Sequence, residues 1–232
     1  MKARIITTLL SLIFTLNLFS GEIKIIAVNG TVLKRHGIEE NWTRVAVGDI
    51  LKPEDSIELG RKSSAVILID GAKKIIIPEN IIIDISDFRI LSQEEVLLSL
   101  AMETIRSFPE RENTNQPEIP KVTTVHGLNK EGLSHQPKIP LETGYKQLNG
   151  TRVLYENGYL GTCILRTRDL TKMFPSLSAT IEAKLRSAEA LEKLGLKLEA
   201  FEEYVRLEKE NLTSEQYSFV SMKINELRNP NK

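Results

Sequence analysis

Between Glu22 and Ile85 the apolar residues come in short bursts, and that rhythm limits what this part of the chain can fold into. The bursts are Ile23–Val28, Val45–Val47, Ile50-Leu51, Ile57–Leu59, Ala65–Ile69, Ile75–Ile77 and Ile81–Ile83. Gly, Asp, Asn and Pro interrupt them at intervals of about 8–12 residues, the spacing of short strands joined by turns. Ile and Val dominate, and a pleated sheet accommodates such β-branched residues well. Asp70-Gly71 is a strong hairpin signal. The alternation of Val66 and Leu68 with Ile67 and Ile69 puts apolar residues on both faces, as in a central strand. The expectation for residues 22–86 is a compact all-β module. Trp42 is expected to pack against the sheet, with exposed carbohydrate stacking as the alternative. Asp49, Asp55 and Asp70 read as turn formers rather than calcium ligands, since no loop has Asp-x-Asp-x-Asp spacing.

The chain has 232 residues, room for one or two domains. Lys+Arg equals Asp+Glu at 31 each, and no basic cluster with interleaved aromatics is present, so no nucleic-acid partner is expected. A single cysteine, Cys163, excludes an intramolecular disulfide and cysteine-based zinc sites. Residues 1–20 have the three parts of a secretory signal: Lys2 and Arg4, an uncharged run from Ile5 to Phe19, and small residues at Ser20-Gly21. The expected location is periplasmic or secreted. If the run is retained, the protein is anchored in the inner membrane, and only then is membrane contact expected.

Residues 87–108 contain a short helix with Ser92 as cap and Glu95 at the capping-box position. Residues 109–143 carry Pro109, Pro117, Pro120, Pro137 and Pro140 among polar residues and read as a flexible linker, with His126 and His135 as solvated side chains. Residues 144–229 then give five helix candidates: Tyr145–Asn157, Tyr159–Phe174, Leu177–Leu194, Leu196–Asn211 and Thr213–Leu227, the last with Thr213 as cap and Gln216 at the box position. Gly158 and Gly195 mark two inter-helix turns 37 residues apart, with a small residue (Cys163, Ala200) five positions after each. The fold class is therefore α+β in two modules.

Two resemblances follow. The series Val28–Val32, Val47–Leu51, Asp55–Ile57, Gly60, Ser63–Leu68, Asp70-Gly71 and Ile75–Asn80 resembles the FecR-type domain of bacterial envelope proteins. The family's founding members are inner-membrane transducers with a cytoplasmic arm that controls a sigma factor. Here Met1–Arg4 precede the apolar run, and the expectation is an exported relative without that arm. The family brings no catalytic residues. In the C-terminal part, Leu154, Gly158, Cys163, Leu170 and Pro175, then Ala188, Leu191, Gly195, Ala200 and Tyr204, resemble the tetratricopeptide repeat, with Thr151 and Thr167 departing from its pattern. The resemblance implies a groove lined by the first helix of each pair: Tyr145, Leu148, Arg152 and Tyr155, then Glu182, Leu185, Glu189 and Lys193. The partner-binding candidates are Tyr145, Arg152, Tyr155, Glu189 and Lys193, with Leu148 and Leu185 readable equally as core.

No phosphate loop, His-Glu-x-x-His, Gly-x-Ser-x-Gly or Cys-x-x-Cys occurs. The expectation is a non-enzymatic envelope protein without cofactor or metal. Its β module would dock to an envelope protein or cell-wall glycan and its helical arm to a protein, with oligomerisation possible through that arm. The alternative is a membrane-anchored sensor related to the FecR transducers. Cys163 reads as a small buried residue rather than a nucleophile.

Overall fold

The computed structural model describes residues 22–39, 41–107, 140–177 and 180–229. The signal-like segment, most of the proline-rich linker, and His126 and His135 lie outside the described residues. The chain divides into two compact units, one closing at Glu79 and one opening at Asn80.

The first unit is all-β. One antiparallel sheet has the strand order β4–β1–β6–β7, from Ile50–Leu51, Ile23–Asn29, Ser64–Ile69 and Lys73–Ile77. A second sheet runs β3–β2–β5 in this unit, from Thr43–Arg44, Val32–His36 and Asp55–Leu59. The chain switches sheets at Asn29-Gly30. Strand β6 is central, as its two-faced apolar pattern requires: Ala65, Ile67 and Ile69 are buried, while Val66 and Leu68 on the other face are half-buried. Residues Ile25, Ile57, Leu59, Ile67, Ile75 and Ile77 have no exposed surface. The β6–β7 turn has Asp70 and Gly71 both at positive φ, with the Ala72 N–H donating to the Ile69 carbonyl, as a type I′ turn requires.

Two aspartates act as backbone brackets. Asp49 accepts from the Ala46 N–H (3.1 Å) and Asp55 from the Lys52 N–H (2.8 Å), while their own N–H groups return to the Ala46 and Lys52 carbonyls. Asp55 also holds His36 Nδ1 at 2.8 Å. Trp42 is half-buried, with the Arg35 guanidinium 4.9 Å above its ring.

The second unit opens with strand β8 (Ile81–Asp84) and a 3-10 turn at Ile85–Asp87. Among the described residues six helices follow: α1 (Gln93–Ser107), α2 (Leu141–Glu156), α3 (Leu160–Met173), α4 (Thr180–Lys193), α5 (Lys197–Leu207) and α6 (Ser214–Arg228). Strand β8 packs on α2, where Asn149 Nδ2 donates to the Asn80 carbonyl at 3.0 Å. Helix α2 starts at Leu141 rather than Tyr145. Gly144, just before that expected start, lies inside the helix, where a Cβ would meet Leu177 and Phe174 at 2.8 and 2.9 Å. Helix α4 starts at Thr180 rather than Leu177, because Leu177 ends a turn on Phe174.

From α2 to α6 each helix packs on the next, α2 also touches α4, and α1 lies on α3. The two inter-helix turns are copies of one another. At the first, Gly158 N–H donates to the Tyr155 carbonyl and Tyr159 N–H to the Leu154 carbonyl. At the second, Gly195 donates to Glu192 and Leu196 to Leu191. This is the Schellman pattern, with each glycine at φ +80° in the left-handed region. Both capping boxes form. Ser92 and Glu95 exchange side-chain-to-backbone bonds, as do Thr213 and Gln216. Among the described residues no helix is long and apolar enough to cross a membrane.

Candidate functional site

The first helix of each pair, plus α6, supplies one groove of about 420 Å³, lined by Tyr155, Glu189, Glu192, Lys193, Phe219 and Lys223. Tyr155 sits in the last turn of α2, and Glu189 and Lys193 lie one turn apart on α4, so all three reach the same place. The Tyr155 hydroxyl donates to Glu189 Oε2. Lys193 Nζ donates to that hydroxyl at 2.8 Å and lies 4.2 Å from the Tyr155 ring centroid. Burial and the Glu189 carboxylate raise the Tyr155 pKa, and the bond to Tyr155 raises that of Lys193. At neutral pH both stay protonated.

A second layer stands behind this trio. Tyr204 on α5 is fully buried and donates to Glu192 Oε2 at 3.4 Å; burial, with Glu192 beside it, pushes its phenol pKa up. Lys223 Nζ holds Glu192 at 3.1 Å and Glu226 at 3.2 Å. Phe219 meets the Tyr204 ring edge-on, with centroids 6.3 Å apart. The groove is thus charge-balanced, with each carboxylate and ammonium matched and two aromatic rings in the wall. Such a surface holds its shape without a ligand and offers apolar ring faces between fixed polar groups. A second depression of about 620 Å³ shares Glu192 and includes Leu198, Phe201 and Leu227.

Of the five candidates from the sequence, the structure brings together Tyr155, Glu189 and Lys193. Tyr145 and Arg152 do not line the groove; Arg152 pairs with Glu156 along the exposed face of α2 (3.6 Å). Leu148 is core, and Leu185 is partly buried against the core. Sequence reasoning missed Glu192, Phe219 and Lys223. The available signal was the i, i+4 spacing of Phe219 and Lys223 on a helix whose cap was already recognised.

Arg166 ties β8 and the 3-10 turn to α3, meeting Asp84 at 2.7 Å and Asp87 at 3.1 Å. Burial pushes the Asp87 carboxyl up to about 6, against the pull of Arg166. Cys163 has no exposed surface, and burial raises its thiol pKa to about 11, so it packs rather than reacts. Among the described residues no group of three or more His, Cys, Asp or Glu could hold a metal ion. No family model, no curated protein and no solved structure matches the chain.

Proposed function

We propose that this is an exported, non-enzymatic protein of the bacterial cell envelope whose helical unit captures a segment of a partner protein. The observation that carries the reading is the groove across α2, α4 and α6, where Tyr155, Glu189 and Lys193 converge with Phe219 and Lys223. A tetratricopeptide-like origin for the helical unit draws support from the duplicated Gly158 and Gly195 turns and the sequential packing of its helices. The FecR-like identity of the β unit rests on its sequence resemblance, and its role is docking to an envelope protein or cell-wall glycan. In the helical unit the preformed ring faces accept an apolar anchor, while the flanking charges select the residues beside it.

Peptide-display selection against the full chain tests this. Enriched peptides should bind the native protein and lose at least about tenfold in affinity to a folded Tyr155→Ala, Lys193→Ala double variant. Failure to enrich any sequence, or equal binding by the folded variant, overturns the assignment.

A further inference from the structure

The outward face of the β4–β1–β6–β7 sheet is a second surface, independent of the helical groove. Its composition follows from the strand register. One row across the sheet reads Ile50, Lys24, Leu68, Lys74, and the next reads Ala27, Val66, Ile76. Side chains paired across an antiparallel ladder share a face. The opposite face takes Ile25, Ile67 and Ile75 into the core, so these two rows point outward. Ile50 is 55% exposed and Ile76 69% exposed, while Val66 and Leu68 are half-buried.

The rows hold lysine and aliphatic residues and no carboxylate. The nearest acids along the strands are Glu22 and Asp70 at one sheet end, where the Asp70 N–H donates to the Glu22 carbonyl, and Asp49 beside β4, which is engaged with the Ala46 N–H. Among the described residues Lys24 and Lys74 have no side-chain partner.

We propose that this face docks on an anionic lipid surface. The face sets two lysines with no side-chain partner among the described residues beside exposed aliphatic side chains, and an anionic lipid interface complements both. Its ammonium groups reach phosphates at the headgroup level while Ile50, Leu68, Val66 and Ile76 lie against the acyl boundary, the division of labour that long cationic side chains make at interfaces. The contact is separate from any made by the N-terminal apolar run.

Vesicle flotation of the full chain tests the proposal, with vesicles of phosphatidylglycerol and phosphatidylethanolamine against vesicles of phosphatidylcholine. The native protein should float with the anionic vesicles and bind the neutral ones at least about tenfold more weakly. A Lys24→Glu, Lys74→Glu variant and an Ile50→Ser, Ile76→Ser variant should each lose binding by a similar factor. All four positions are exposed, and unchanged circular dichroism verifies folding. A Lys197→Glu, Lys209→Glu control makes the same change in net charge on the helical unit and should float like the native chain. The proposal is overturned if the native protein does not prefer anionic vesicles. It is equally overturned if the sheet variants float unchanged, which assigns binding to residues 5–19, or if the control loses as much as the lysine variant. Capture of poly-glutamate without capture of vesicles replaces the lipid surface with an acidic polypeptide.

Discussion

Two helix pairs in the second unit make the same turn and enclose different things. Positions 37 residues apart correspond: Leu154 with Leu191, Gly158 with Gly195, Cys163 with Ala200 and Leu170 with Leu207, all buried except the glycines. The correspondence fails inside. Thr151 and Thr167 in the first pair stand opposite Ala188 and Tyr204 in the second. It fails again where other elements attach. A Cβ on Gly161 would meet Leu91 and Val96 at 2.7 and 2.9 Å, because α1 lies there, whereas its counterpart Leu198 is exposed. A Cβ on Gly150 would meet the Ile82 carbonyl oxygen at 2.6 Å, and its counterpart is Ser187. Residues that shape the turn repeat. Residues that shape the surroundings became small where a non-repeating element came close, and large where the pair had to fill its own interior.

The comparison can be broken first at its interior. Tyr204→Ala should destabilise the helical unit by about 3–5 kcal/mol, because a fully buried aromatic is removed and Phe219 and Glu192 lose a partner. Thr167→Ala at the matching position should cost about 1 kcal/mol or less. Urea unfolding followed by helical circular dichroism reads both.

Next comes the Arg166 clamp, present in the first pair alone, since position 203 carries Glu. Asp87 rises from 3.8 to about 6 on folding. The folded chain therefore binds this proton more tightly than the unfolded chain, so the contribution is fully present below pH 4 and is lost as pH rises through about 6. The shift corresponds to about 3 kcal/mol between those limits. Denaturant midpoints measured from pH 4 to pH 7 should show this fall in the native protein, and Asp87→Asn should remove it.

The finest test sets positions 150 and 187 against each other. Gly150→Ala forces a methyl group onto a backbone oxygen and should cost about 1–3 kcal/mol. Among the described residues the buried Ser187 hydroxyl has no hydrogen-bond partner, so Ser187→Ala should be neutral or stabilise by up to about 1 kcal/mol. Opposite signs at equivalent positions, read from paired melts, would show that the pairs diverged at their attachments; like signs would erase the distinction.

Much of this was legible in the sequence where local chemistry decides structure. Ser92 with Glu95 and Thr213 with Gln216 announced two helix starts, Gly158 and Gly195 two helix ends, and Asp70-Gly71 a hairpin. In each case the determining atoms lie within a few residues of one another. Tertiary contacts overrode the local signal elsewhere. Gly144 disfavours helix by itself, yet it sits in the first turn of α2 because Phe174 and Leu177 need the space. The groove was half legible. Tyr155, Glu189 and Lys193 were named through the tetratricopeptide resemblance, but Phe219 and Lys223 enter through the packing of α6, which no spacing within α2 or α4 encodes. Arg152 fell outside it because Glu156, one turn on, claims its guanidinium along the exposed face.

The duplicated turn also makes the helical unit extensible. A module that starts and ends on the same hydrogen-bonded corner can be spliced in again without asking either neighbour to change its own corner. Inserting a further copy of residues 159–195 after Gly195 would lengthen the array by one cassette and carry a second Glu189–Lys193 pair to a new rung. The face these helices present would grow by a fixed step with each cassette, and its length would be set by the number of rungs rather than by redesigning any one of them.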